Sequence, residues 1–321
     1  MKILRIATRR SALALWQAEH VAARLRTAHP GTTIELVPMV TQGDRILDRT
    51  LAQVGGKGLF IKELEVALQA DRADLAVHSM KDMPADLPAG LCLAAALERA
   101  DPRDAFVSNH HARWQDLPQG ARLGTASLRR SCQVRALRPD LDVQPLRGNV
   151  NTRLAKLDAG EFDGILLACA GLDRLGFSTR IAEALSPTVL LPAVGQGIIG
   201  IECRSADSTT LAAVAVLNDP LAMLCLTTER AFSGRLSGSC QSPVAGFAVL
   251  QGHTLQLRGL VGATDGSRSV SDAGSLTLAD VSPAGLVAAQ ASGAALGVAV
   301  AERLLAAGAA ELLDAARAAE H

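Results

Sequence analysis

The sequence predicts an α/β protein built as two doubly wound halves, each a mostly parallel sheet with helices on both faces, followed by a smaller α+β unit. Three observations carry that prediction. Strand and helix signals alternate through the first two-thirds of the chain, and the alternation restarts after Asp101-Pro-Arg-Asp104. From about Pro220 the pattern changes to hairpin-like strands and an Ala-rich helix.

In order, the run from Ile3 to Ala7 reads as a short buried strand. An amphipathic helix follows from Ala12 to about His29, where Pro30-Gly31 stops it. The β-branched alternation from Thr33 to Val40 predicts the next strand. A polar loop from Thr41 then reaches Gly55-Gly-Lys-Gly58, which opens a helix from Leu59 to Ala70. A third strand runs from Asp74 to Ser79, and Asp82 is expected at its end, turned toward the cleft by Met83-Pro84. In the second half, strands are predicted at 122–125, 143–146 and 164–169, with helices from Ser127 to about Leu137 and from Asn151 to Ala159. Leu191-Pro-Ala-Val-Gly-Gln-Gly197 is a second crossing, and 198–203 reads as a strand. A helix at 221–232, strands at 247–250 and 254–260, a turn at Thr264-Asp-Gly266, a helix at about 291–305 and a frayed tail complete the chain. The expected domains are 1–98 with 198–216, then 103–192, then 220–321. Hinges fall near 98–103 and 192–220.

The length, 321 residues, suits two or three domains. Lys plus Arg equals Asp plus Glu at 32 each, and aromatics are 2% with no Tyr, which disfavours a nucleic-acid partner. No stretch reaches the ~18 apolar residues of a membrane span, and the first residues lack a signal-peptide pattern, so a cytoplasmic protein is expected. The six cysteines are scattered without metal spacing, so neither a disulfide framework nor a metal site is expected.

The cations suggest the chemistry. Only five of them are Lys, and Arg is the planar residue that grips carboxylates and phosphates in a fork. Arg9 and Arg10, Arg129 and Arg130, and Arg147 and Arg153 all follow predicted strands, where a doubly wound sheet faces its cleft. Ser11 and Ser127 are placed to cap the helices that begin there. The alternative is a set of solvated helix faces carrying ion pairs. Gly55–Gly58 lacks the Walker spacing, and no GxGxxG follows a strand, so nucleotide binding is disfavoured. His78 reads as a structural histidine. Asp82 is either a turn carboxylate or an acid–base group beside cations. Cys240, in Leu236-Ser-Gly-Ser-Cys-Gln-Ser-Pro243, is either an inert loop thiol or a nucleophile and attachment point.

At these residues the sequence resembles the porphobilinogen deaminase (hydroxymethylbilane synthase) family. The matching segments are Ile6-Ala-Thr-Arg-Arg-Ser-Ala-Leu-Ala-Leu15, Gly55-Gly-Lys-Gly-Leu-Phe60, Ala76-Val-His-Ser-Met-Lys-Asp-Met-Pro84, Asp101-Pro-Arg-Asp-Ala-Phe106, Gly124-Thr-Ala-Ser-Leu-Arg-Arg130, Leu146-Arg-Gly-Asn-Val-Asn-Thr-Arg153, Pro192-Ala-Val-Gly-Gln-Gly197 and Gly238-Ser-Cys-Gln241. The resemblance implies two domains like the type II periplasmic binding proteins, and a monomeric transferase of porphyrin biosynthesis. Such an enzyme joins four porphobilinogen molecules head to tail, releasing ammonia, on a covalent dipyrromethane cofactor. It implies Asp82 as the catalytic residue and a thioether from Cys240 to the cofactor. Lys81, Ser127, Arg129, Arg130, Ser79, Asp44, Thr125 and Gly148 are the implied cofactor-binding positions. Arg9, Ser11, Lys57, Arg147, Arg153, Phe60, Arg174 and Gln196 are those implied for substrate. Two departures are Gln53, where relatives often carry Lys, and Ser239, where Gly is frequent. A non-catalytic anion-binding clamshell is the alternative, but it has no use for Cys240 or a third domain.

Overall fold

A computed structural model describes residues 3–41, 61–236 and 242–319. The expectations for Asp44, Gln53, Gly55–Gly58, Phe60, Ser239 and Cys240, and for a helix start at Leu59, fall outside these residues.

The first sheet holds β1 (Ile3–Arg9), β2 (Thr33–Met39), β3 (Leu75–Ser79), β4 (Leu91–Ala96) and a late arrival, β10 (Ile199–Arg204), in the order β2-β1-β3-β10-β4. β1 is parallel to β2 and β3, whereas β10 is antiparallel to both β3 and β4. The second sheet repeats the plan with β5 (Asp104–Val107), β6 (Arg122–Gly124), β7 (Asp142–Gln144), β8 (Gly164–Ala168) and β9 (Glu183–Leu185), ordered β7-β6-β8-β5-β9. Here β5 is the antiparallel strand. Each sheet is therefore mostly parallel, and its one reversed strand is supplied by a chain crossing. The third unit is an antiparallel sheet of β11 (Val244–Gln251), β12 (Thr254–Gly262) and β13 (Ser269–Thr277).

Caps locate the helices. α1 (Ala12–Ala28) begins at Ser11, whose side chain accepts from the Ala14 amide at 3.3 Å. Its buried residues Ala14, Gln17, Ala18, Val21, Ala22 and Leu25 form one face against the first sheet. α2 (Lys62–Gln69) covers the opposite face through Leu64, Ala67 and Leu68. In the second unit, α3 (Leu128–Leu137) and α4 (Val150–Asp158) start at Ser127 and Asn149, which cap the Arg130 and Thr152 amides. α5 (Cys169–Arg174) and α6 (Ser208–Val214) are short. In the third unit, α7 (Pro220–Arg235) and α8 (Pro283–Ala288) carry Pro in the first turn behind the caps Asp219 and Ser282. α9 (Gln290–Leu304) and α10 (Ala310–Ala318) close the chain.

Several expectations are corrected. The tail is helical rather than frayed: Gly308, at φ +98°, bends the chain, and Leu312, Leu313 and Ala316 of α10 are buried. Its Ala-rich composition hides that periodicity. The run from Gly164 to Cys169 divides, because Cys169 opens α5. Asp104, read as part of a hinge, is wholly buried as the first residue of β5. Asp82 does not end a strand. β3 stops at Ser79, Asp82 lies in a 3-10 turn of Met80–Asp82, and the restriction before Pro84 falls on Met83, which is extended.

Both chain crossings meet the third unit at one ion pair. Arg99, between β4 and β5, donates through Nη1 and Nη2 to Glu229 of α7 at 2.6 and 3.1 Å, and through Nε to the Gln196 carbonyl at 2.9 Å. Glu229 also accepts from the Gly195 and Ala248 amides at 2.6 and 2.7 Å. It is 0% exposed. Removing one partner of such a pair strands the other charge, so Glu229→Gln should cost about 3–5 kcal/mol in urea unfolding. Asp314→Asn, at the exposed pair with Arg317, should cost no more than about 1 kcal/mol.

Candidate active site

The topology delivers the candidate side chains from the strand ends of both α/β units. In the first, Arg9 ends β1, Ser11 caps α1 and Ser79 ends β3. Gln17 reaches across from α1, its Nε2 donating to Ser79 Oγ at 2.8 Å. Arg9, Ser11, Gln17, His78, Ser79 and Asp82 line one pocket. In the second unit, Thr125 follows β6 and accepts through Oγ1 from the Ser127 amide at 3.2 Å. Arg129 and Arg130 occupy the first turn of α3. Arg147 and Gly148 follow β7, and Gly148 adopts φ +107°, where a Cβ would meet the Thr152 side chain at 2.8 Å. That turn lets the Gly148 carbonyl accept from Arg153 Nε at 2.8 Å.

Electrostatics divides the cations into two groups. Arg129 and Arg130 close on Asp104, with Nη–Oδ distances of 2.7 Å from each. Gln196 Nε2 adds a donor at 3.0 Å, and Arg129 and Arg130 also donate to the Leu191 and Leu166 carbonyls at 2.8 and 2.9 Å. Burial opposes the Asp104 charge, yet the two guanidiniums hold its carboxyl far below the usual range. These arginines, expected from sequence to face a ligand, are thus largely engaged internally. Of the nitrogens of these two side chains, Arg129 Nε is buried without a partner among the described residues.

The second group forms no salt bridge among the described residues. Burial pulls Lys81 down to about 8, against the attraction of Asp82 and with the repulsion of Arg130. Burial lowers Arg153 to about 10, helped by Arg130, and Arg174 also to about 10. Arg147 is lowered by burial as well. Arg153 donates to Gly148, and Arg174 donates to the Gly197 carbonyl at 2.7 Å while lying over the Trp16 ring. Neither forms an ion pair among the described residues. Asp82 lies within electrostatic reach of Lys81 and Arg153, so the two units contribute to one field. Desolvated cations beside a single acid are a receptor for a ligand with several carboxylates.

Sequence reasoning did not anticipate Asp104 or Gln17 in this assembly. Asp104 sits beside apolar Ala105-Phe-Val107, the one hint that it is interior. Lys57, Phe60, Asp44 and Cys240 lie outside the described residues.

Two family models match the chain: "Porphobilinogen deaminase, dipyromethane cofactor binding domain" over residues 4–212, and "Porphobilinogen deaminase, C-terminal domain" over residues 223–306. The chain belongs to the porphobilinogen deaminase family. It is accordingly a transferase, a hydroxymethylbilane synthase that condenses four porphobilinogen molecules with release of ammonia on a dipyrromethane cofactor. Among solved structures it is similar to a nutrient-binding protein from Burkholderia cenocepacia bound to methionine (10% identity, TM-score 0.42, 66% of this chain and 89% of that one). It is also similar to the BvgS periplasmic VFT2 domain of Bordetella pertussis (14%, 0.41, 66% and 85%). A third is the periplasmic aliphatic sulphonate binding protein SsuA of Escherichia coli (15%, 0.41, 73% and 70%).

The donor set fits the porphobilinogen deaminase cofactor. A dipyrromethane carries an acetate and a propionate on each ring, and Lys81, Arg147, Arg153 and Arg174 supply cations that form no salt bridge among the described residues. When bound, the cofactor supplies the free pyrrole carbon to which the first substrate is joined.

Lys81 gives a pH test. In the ligand-free chain it loses its proton as pH rises through about 8, whereas its ordinary value is 10.5. The unfolded chain then holds more protons between those values, so this lysine makes stability rise with pH across that window. A carboxylate set against Lys81 restores its charge. Non-covalent binding of a dipyrromethane to the Cys240→Ser chain above pH 8 should therefore take up a proton and weaken as pH rises, measured by calorimetry in buffers of different ionisation enthalpy. Lys81→Met should abolish the uptake.

Proposed function

We propose that Asp82 drives the condensation and that the unpaired cations hold the acidic chain while it grows. The observation that carries this reading is the placement of one carboxylate, Asp82, in the pocket and within the field of Lys81 and Arg153. Loss of ammonia from porphobilinogen leaves a cationic pyrrole. A carboxylate at that point lowers the barrier by stabilising the developing positive charge. The surrounding cations do not cancel this effect, because ligand carboxylates neutralise them.

Membership of the family supports the residue roles. Arg9, Ser11, Arg147, Arg153 and Arg174 orient the carboxylates of incoming substrate, with Lys57, Phe60 and Gln196 completing the substrate side. Lys81, Ser79, Thr125, Ser127, Arg129, Arg130, Gly148 and Asp44 hold the cofactor, anchored through the sulfur of Cys240. Gln196 fits this role indirectly: its amide donates to Asp104 and to the Pro102 carbonyl at 2.7 Å, steadying the platform on which the arginines rest.

We also propose that the chain acts as a monomer in the cytoplasm, with neither nucleic acid nor membrane as partner. Five described cysteines are free thiols, which suits a reducing compartment. No single described helix is long and apolar enough to cross a membrane.

Asp82→Asn should retain the cofactor mass while turnover falls by roughly a thousandfold. Near-normal turnover would remove Asp82 from the chemistry. Cys240→Ser should lack the added mass of one dipyrromethane; a fully active, unmodified Cys240 protein would contradict the anchoring role.

A further inference from the structure

A buried acid–base pair lies beside the turn that carries Asp82. His78 sits on β3 and Glu202 on β10, where the antiparallel register sets Gly200 opposite His78 and Glu202 opposite Ala76. The two side chains therefore meet diagonally on one sheet face. His78 Nε2 is 2.9 Å from Glu202 Oε2, and the residues are 5% and 0% exposed. Arg230 of α7 and Glu65 of α2 are within electrostatic reach of Glu202, and Arg230 Nη2 donates to the Ala85 carbonyl at 2.7 Å. Glu202 Oε1 has no partner among the described residues.

The pairing fixes the imidazole. Taking Glu202 as the acceptor of this contact places the ring proton on Nε2. Nδ1 is then a bare acceptor, without a hydrogen-bond partner among the described residues. His78 also lines the pocket that Ser79 and Asp82 line. A purely structural histidine would use both nitrogens internally. This one offers a lone pair on the residue that borders the reaction space.

We propose that His78, oriented by Glu202, accepts the proton released in each condensation. The proposal rests on the reading that Asp82 stabilises the cationic pyrrole. In the cycle, the C–N bond of the protonated aminomethyl group breaks and ammonia leaves with the electron pair. A C–C bond forms to the pyrrole α-carbon of the acceptor ring. The C–H bond at that carbon then breaks, and its pair returns to the ring. The proton passes to His78 Nδ1, directly or by way of the Asp82 carboxylate, while Nε2–H remains on Glu202. Glu202 balances the imidazolium until the proton moves to ammonia, which departs as ammonium. Glu202 is a positioning residue in this scheme, because it acts through His78.

The test combines variants with a readout that needs no turnover. Nitrogen NMR of histidine-labelled protein should show His78 as the Nε2–H tautomer, and Glu202→Gln should lose that preference. His78→Gln should keep the cofactor mass and a KM within about threefold, with kcat reduced at least ~100-fold, the scale of a positioned acid–base group. In His78→Ala, added imidazole should restore turnover and the weakly basic pyrazole, of like shape, should not. Near-normal kcat in His78→Gln, equal rescue by both azoles, or an Nδ1–H tautomer in the parent protein would each overturn the proposal. Asp82→Asn separates the two readings. If it is inactive while His78→Gln turns over normally, only the proton-acceptor role fails; if it is active, the underlying reading fails.

Discussion

The structure depends on half-buried positive charge that no salt bridge neutralises among the described residues. Lys81, Arg147, Arg153 and Arg174 are all pulled below their ordinary values by burial, and none forms a salt bridge among the described residues. Such an arrangement opposes folding. It is tolerable because each unit has an apolar core of its own, such as the clusters around Phe106 and Phe232. The same arrangement suits an acidic ligand that grows. Every added pyrrole brings two more carboxylates into a space already short of negative charge.

Asp104 shows how like charges can be crowded there. Its carboxylate lies between Arg129 and Arg130, so those guanidiniums form a fixed platform rather than mobile hooks. The field of Arg130 lowers both Lys81 and Arg153, and that of Arg129 lowers Lys81. Gln196, from the second chain crossing, also donates to Asp104. The carbonyl of the same residue accepts from Arg99, which pairs with Glu229 in the third unit. A short path of buried polar contacts thus joins the binding platform to the junction of both chain crossings with the third unit. Gly197 belongs to this path: at φ +89° it passes so close to the Ala100 carbonyl that a Cβ would sit 2.5 Å from its oxygen.

Much of this protein was determined by its sequence alone. Alternating strand and helix signals defined two α/β halves, and Ser11 and Ser127 cap the helices they were expected to cap, because capping is a local bond. The ordered motifs marked the family. Tertiary structure decided what local signals could not carry. β10 inserts beside β3 more than a hundred residues after it, and only that pairing brings Glu202 to His78. Which arginines are engaged and which are available depends on Asp104, an acid that looked like part of a hinge until β5 carried it into the core. Charge is written in sequence, but its availability is a property of distance and burial.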